Sequence, residues 1–264
     1  MSTKRNRFFR WMAVWVSVGM MAACSQEKAP AAPEKEDIEL SVFAAASLKD
    51  AVTEIQETYK QNQPEVRLVP HFASSGKLQR QIEQGASADL FLSAGKKEMN
   101  ALLEKDHIDP DHHIDLLENQ LTLIVPKQNG NKWTSMEDLT EAERISIGQP
   151  DTVPAGSYAK QALEDLGLWE ELHSRIVFSG DVRQVLTYVE TNNVDAGLVY
   201  RTDAQHSNKV TVAATVDPDS HQPIRYPVGV LKASKHPEEA RKLYEWLQGE
   251  KARAIFEKYG FDAQ

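Results

Sequence analysis

The chain has 264 residues, a formal net charge of −9 and a single cysteine. That length is enough to bury a core in one or two domains. The acidic balance argues against a nucleic-acid-binding protein, because such proteins present a basic face. A lone cysteine also excludes a disulfide within the chain.

The N-terminus has the pattern of a secretion signal. Four basic residues precede the apolar run Trp11–Ala23, which is too short to span a bilayer and is typical of a signal-peptide core. The run ends in MAAC, which resembles a bacterial lipoprotein lipobox with methionine where leucine is commoner. We therefore predict a signal peptide over residues 1–23 and a lipid on Cys24, which would anchor the chain to a membrane.

Two consequences follow from that prediction. Residues 24–37, rich in Ala, Pro, Glu and Lys, read as a flexible tether. Removing the four basic residues of the signal leaves 26 basic against 39 acidic residues, so the mature chain has a net charge of −13. The expected location is extracytoplasmic, in the periplasm or on the outer face of the cytoplasmic membrane. The alternative is a chance cysteine beside an ordinary cleavage site.

The stretch Val42–Asp50, VFAAASLKD, joins a predicted strand to a predicted helix. Apolar residues alternate before it and recur at helical spacing after it. Ser47 stands at the junction, and serine is a favoured helix N-cap. Because the first amides of a helix lack intrahelical partners and carry the positive end of its dipole, such a junction can bind an anion. Alone, it could equally be a capped helix that binds nothing.

The same design recurs along the chain. A second predicted strand is followed by the turn of Ser74, Ser75 and Gly76 and by a helix. A third strand leads into a helix opened by Ala155. A fourth helix begins at Val182, with Asp181 as its predicted N-cap.

Between these junctions lies a cluster of potential metal ligands that we interpret as a solvated loop. It comprises Asp109, Asp111, His112, His113 and Asp115. Such residues could bind a metal ion, but nothing in the pattern fixes their geometry. We therefore predict a charged connector here.

Strands alternate with helices throughout, which predicts an α/β fold with largely parallel sheets. About nine strands are predicted, which suits two small sheets better than one. Connectors near Glu118–Leu121 and Val216–Pro223 suggest two lobes.

In open α/β sheets, ligands bind beyond the carboxyl ends of the strands. The junctions offer only neutral hydrogen-bond donors there, a set that fits a fully deprotonated oxyanion. They are the hydroxyls of Ser47, Ser75 and Tyr200 and the amides of Ala155 and Val182. Each has a plainer alternative: the serines could be caps only, the two amides ordinary first-turn groups, and Tyr200 a core residue.

Several motifs together resemble the molybdate-binding proteins of bacterial ABC importers. They run in order from about Ile38 to Phe261, which is nearly the whole mature chain: FAAASLKDA, FASSGKLQRQIEQGASADLFLSA, QPDTVPAGSYAKQAL, SGDVRQVL, AGLVY, YPVGV and KYGF. The chain departs from the family at Gly76, where a third serine often follows FASS.

The resemblance implies a two-lobe periplasmic-binding-protein fold, type II-like, with the ligand in the cleft. Lobe 1 would comprise 38–119 and 225–264, and lobe 2 would comprise 120–224. Molybdate, and tungstate with it, would be held by five residues: Ser47, Ser75, Ala155, Val182 and Tyr200. The family implies no enzyme activity and no cofactor, with molybdenum bound as its oxyanion and not ligated directly by the protein. The partner would be a membrane permease, and we expect a monomer.

Three rival functions remain open. One is a binding protein for another tetrahedral oxyanion such as sulfate. Another is a secreted serine hydrolase using Ser47 or Ser75, although no G-x-S-x-G motif is present and His71 is the nearest histidine in sequence. The last is a lipid-anchored structural protein without a ligand.

Overall fold

The computed structural model describes residues 38–129 and 133–263. The predicted signal peptide, Cys24 and the tether lie outside the described residues. None of the helices within them is long and apolar enough to cross a membrane.

Eleven strands form two sheets in the described part of the chain. In chain order the strands are β1 (Ile38–Ala45), β2 (Val66–Ala73), β3 (Leu90–Leu92), β4 (Ile108–Glu118), β5 (Leu121–Pro126), β6 (Ile145–Gly148), β7 (Ile176–Ser179), β8 (Ala196–Tyr200), β9 (Val210–Thr215), β10 (Arg225–Leu231) and β11 (Asp262–Ala263). The first sheet has the order β11-β4-β10-β3-β1-β2, and the second has the order β7-β6-β8-β5-β9.

The described part of the chain also contains nine α-helices, which connect and cover these strands. They are α1 (Lys49–Asn62), α2 (Ser75–Glu83), α3 (Lys96–Glu104), α4 (Pro154–Asp165), α5 (Trp169–Leu172), α6 (Val182–Glu190), α7 (Arg201–Gln205), α8 (Pro237–Leu247) and α9 (Glu250–Lys258). A glycine terminates two of these helices. Gly85 and Gly167 close α2 and α4 with φ of +87° and +70°, which only glycine adopts readily.

The predicted α/β class is confirmed, but the sheets are mixed and not largely parallel. Strand β1 is parallel to β2 and β3, and β6 is parallel to β7 and β8. Strand β10, in contrast, runs antiparallel to β3 and β4, and β5 runs antiparallel to β8 and β9. The parallel strands are those that precede the helix-forming junctions, because a parallel pair needs a crossover connection.

The cluster of acids and histidines was wrongly predicted as a loop. Residues 109–115 lie within β4, which pairs with β10 from Ile108 to Glu118. Alternation fails to mark this strand because its buried residues lie only near its two ends, while the residues between them are exposed or half-buried. His112 contacts Asp109 and the ring of Tyr244. Within the described residues, no group of three His, Cys, Asp or Glu could hold a metal ion.

The chain crosses between the two sheets at two points. The first crossing joins β4 to β5 through Asn119 and Gln120, and the second joins β9 to β10. Elements of both sheets meet where the amide of Gly76 donates to the carbonyl of Thr152 at 3.0 Å. A Cβ at position 76 would lie 2.8 Å from Thr152 Cα, so this approach uses the space that a serine side chain would fill.

Candidate functional site

All five residues predicted to bind a ligand line one small cavity. Ser47 and Ser75 reach it from junctions of the first sheet, whereas Ala155, Val182 and Tyr200 reach it from the second. All five are buried. The cavity has a volume of about 10 Å³, far below the roughly 300–1,000 Å³ of pockets for drug-sized molecules. Its size therefore excludes a drug-sized ligand and favours a small one.

Helices α2, α4 and α6 begin at this cavity. Helix α2 starts at Ser75, α4 starts with Pro154 just before Ala155, and α6 starts at Val182. The first N–H groups of each helix have no intrahelical partner and carry the positive end of the dipole. Proline suits the first position of α4 because the N–H it lacks would be unpaired there. Together the three ends direct backbone donors at one small volume.

The hydroxyl of Ser75 is oriented by a neighbouring backbone amide. The N–H of Ala94 donates to Ser75 Oγ at 2.9 Å. Since Oγ is the acceptor in that bond, the serine's own proton remains free to donate. Ser75 therefore offers a donor at the N-terminus of α2.

Ser47 is not the helix N-cap that the sequence predicts. It lies inside a 3₁₀ turn over Ala46–Leu48, and no side chain caps α1, whose N-cap position is Leu48. The Ser47 hydroxyl instead lies 3.0 Å from the Tyr226 hydroxyl, with which it shares a buried hydrogen bond. This partner is 179 positions away in the chain, so no local pattern could have shown it.

Tyr200 brings a phenol hydroxyl to the same cavity. Its O–H donates to the carbonyl of Ala94 at 3.3 Å, which links the second sheet to the first. Burial, with Tyr226 nearby, raises the pKa of Tyr200 well above its usual value. The phenol therefore keeps its proton near neutral pH, and its long bond to Ala94 can be exchanged for one to a ligand.

In the part of the chain that the structure describes, no lysine or arginine lines the cavity. Arg183 follows Val182 directly, but it pairs with Asp50, and its Nε lies 3.0 Å from Oδ1 of Asp203 at an angle that makes no hydrogen bond. Asp181 does line the cavity, and its Oδ1 caps α6 by accepting the N–H of Gln184 at 3.0 Å. That cap confirms the predicted role of Asp181.

Two polar groups at the site were not assigned from the sequence. Ser74 lines the cavity, and its buried Oγ has no hydrogen-bond partner among the described residues. The FASS motif could have indicated it, since both serines precede α2. Tyr226 lies behind Ser47 and contacts the ring of Tyr200, with centroids 5.5 Å apart. Only the folded chain brings Tyr226 to Ser47.

The geometry around the two serines differs from that of a serine hydrolase. A nucleophilic serine needs a base within hydrogen-bond reach. In the described part of the chain, Ser47 bonds to a phenol and Ser75 to a backbone amide. His71 packs against the ring of Phe43.

Comparison with known proteins identifies the family of the chain. The family model for bacterial extracellular solute-binding proteins matches residues 40–262. The chain belongs to that family. Its members are binding proteins, and the fold of this one is the periplasmic-binding-protein fold of its solved relatives.

Three relatives resemble this solute-binding protein over most of its length. The putative ABC transporter substrate-binding lipoprotein YvgL of Bacillus subtilis is 44% identical, covering 98% of this chain and 99% of its own. The molybdate-binding protein ModA of Escherichia coli is 41% identical over 84% of this chain and 88% of its own. The solved substrate-binding domain of a putative molybdenum ABC transporter from Clostridium difficile is also 41% identical, with a TM-score of 0.68 and coverage of 86% and 99%.

The cap of α6 leads to a prediction about stability. Replacing Asp181 with alanine removes the side-chain acceptor for the Gln184 amide, which we expect to lower the free energy of unfolding by about 0.5–2 kcal/mol. Urea denaturation measures the change. Asp181→Asn is the control, because asparagine caps helices about as well as aspartate. Equal stability of the alanine variant and the wild type would contradict this assignment.

Proposed function

We propose that this chain is the solute-binding component of an ABC importer and that it captures molybdate. The hydroxyls of Ser47, Ser75 and Tyr200 and the amides of Ala155 and Val182 hold the oxyanion. The observation that carries the proposal is the convergence of these donors on one small cavity without a basic side chain. The molybdate-binding name of the E. coli relative supports the choice of anion.

Selection among oxyanions follows from the size and protonation of each. Sulfate is smaller than molybdate, so a cavity fitted to molybdate leaves its hydrogen bonds too long. Phosphate carries a proton near neutral pH, and the backbone amides of Ala155 and Val182 cannot accept that proton. Tungstate shares the charge and nearly the size of molybdate, so we propose that it binds as well. Molybdenum then enters as cargo and is not ligated directly by the protein.

Ligand capture is proposed to close two lobes. Residues 38–119 with 225–264 form one lobe and residues 120–224 the other, as the membership of the two sheets suggests. An anion that contacts both lobes binds the closed form better than the open form, and this difference in affinity drives closure. The Gly76–Thr152 hydrogen bond joins the two sheets' elements and supports the closed form.

The place of action is proposed from the N-terminus and the relatives. Cleavage before Cys24 and a lipid on that cysteine would hold a monomeric binding protein outside the cytoplasm, with residues 24–37 as a tether. The lipoprotein name of the B. subtilis relative supports this arrangement. The tethered protein would then deliver its anion to a membrane permease.

One prediction of the proposed function concerns the ligand. Calorimetric titration of residues 25–264 with molybdate, tungstate, sulfate and phosphate at neutral pH should give tight binding of the first two anions only. A preference for sulfate or phosphate would keep the fold but contradict the proposed selection. Absence of binding to all four would contradict the proposed function.

Another prediction of the proposed function concerns Ser75. Replacing it with alanine removes one hydrogen bond to a charged ligand, which is worth about 1.5–3 kcal/mol. The dissociation constant for molybdate should therefore rise roughly 10- to 150-fold. Ser146→Ala is a matched control, because Ser146 is as buried as Ser75 but bonds to Val177 and Ser179 within the second sheet. Unchanged affinity of Ser75→Ala would refute its assigned role.

A further inference from the structure

Behind the cavity, Tyr226 forms the centre of a chain of buried hydrogen bonds. Its hydroxyl lies 3.0 Å from Ser47 Oγ and 3.2 Å from Nδ2 of Asn119. The phenol ring is held between the rings of Tyr200 and Phe261, at centroid distances of 5.5 and 5.3 Å. The hydroxyl therefore has little freedom to choose other partners.

The direction of each bond can be deduced from the donors available. Asn119 Oδ1 accepts the N–H of Gln120 at 2.9 Å, which fixes the amide so that Nδ2 faces the interior. Nδ2 has two hydrogens: one goes to Thr202 Oγ1 at 3.0 Å and the other to the Tyr226 hydroxyl. Tyr226 thus accepts from Asn119 and still has its own proton to place.

That proton has one destination in the described part of the chain. An amide NH₂ cannot accept it, so it goes to Ser47 Oγ. Ser47 then uses its oxygen as an acceptor for Tyr226 and keeps its proton for the cavity that it lines. The opposite direction would leave the buried proton of Tyr226 without a partner, which is costly.

We infer that Tyr226 is a positioning residue that, together with Asn119, fixes the Ser47 hydroxyl as a donor to the bound oxyanion. The inference rests on the proposed function. Without the Tyr226 hydroxyl, Ser47 would be free to rotate its proton away and present a lone pair to the anion. We call the hydrogen bonds that join Thr202, Asn119, Tyr226 and Ser47 the relay. Ser75 needs no such relay, because its oxygen already accepts a hydrogen bond from the Ala94 amide.

The relay also spans both crossings between the sheets. Asn119 lies at the first crossing, Tyr226 lies in β10 just after the second, and Thr202 belongs to α7 beside the second sheet. Hydrogen bonds therefore link the Ser47 hydroxyl to the segments about which the two lobes are proposed to move.

A double-mutant cycle tests whether Tyr226 acts through Ser47. Molybdate dissociation constants are measured by calorimetry for wild type, Tyr226→Phe, Ser47→Ala and the double variant. Tyr226→Phe should bind about tenfold more weakly, as expected for a displaced hydrogen bond to a charged group. The double variant should bind no more weakly than Ser47→Ala alone. Tyr59→Phe, which removes the hydroxyl of a buried tyrosine that is not among the residues lining the cavity, should match wild type.

The outcomes separate the relay from the proposed function. Wild-type affinity in Tyr226→Phe, or losses that multiply in the double variant, would overturn the relay while the molybdate site stands. A wild-type protein that binds none of the four anions would overturn both. If Tyr226→Phe does not fold, Asn119→Ala takes its place in the same cycle, with the same expected dependence on Ser47.

Discussion

One constraint governs the structure: a small anion must be held in a buried cavity that has no positively charged side chain in its lining. Among the described residues no lysine or arginine lines the cavity, and Arg183, which follows Val182 in the chain, is engaged by Asp50 and Asp203. What remains are neutral donors, and a desolvated charge needs many of them in fixed directions. Three helix N-termini supply such donors because the first amides of a helix have no intrahelical partner.

The rest of the fold brings these three helix N-termini together. Parallel strands end at the same edge of each sheet, so the helices that follow them begin side by side. Short turns of alanine, glycine and serine keep the cavity small, and the close approach of Gly76 to Thr152 brings the two sheets' elements into contact. Each hydroxyl is then oriented by a second group behind it: Ala94 for Ser75 and Tyr226 for Ser47.

The sequence predicted the parts of this arrangement that depend on local pattern. Strand–turn–helix junctions, the Asp181 cap and the α/β class can be seen in periodicity and turn residues, and the structure has all three. The hydrogen bond between Ser47 and Tyr226 could not be predicted, because it joins residues 179 positions apart. Strand β4 was missed because the exposed and half-buried residues of its middle hide the alternation that marks a strand with one buried face. The lobe boundaries and the ligand contacts stay predictions.

The most direct test of the account is a crystal structure of the molybdate complex, with the metal located by its anomalous scattering. We expect one strong peak in the cavity, with the oxygens of the oxyanion around it within hydrogen-bonding distance of five groups: Ser47 Oγ, Ser75 Oγ, the Tyr200 hydroxyl and the amides of Ala155 and Val182. A peak at the neighbouring cleft formed by Lys96, Lys97 and Arg225 would contradict it, because the anion would then be held by positive charge and not by neutral donors.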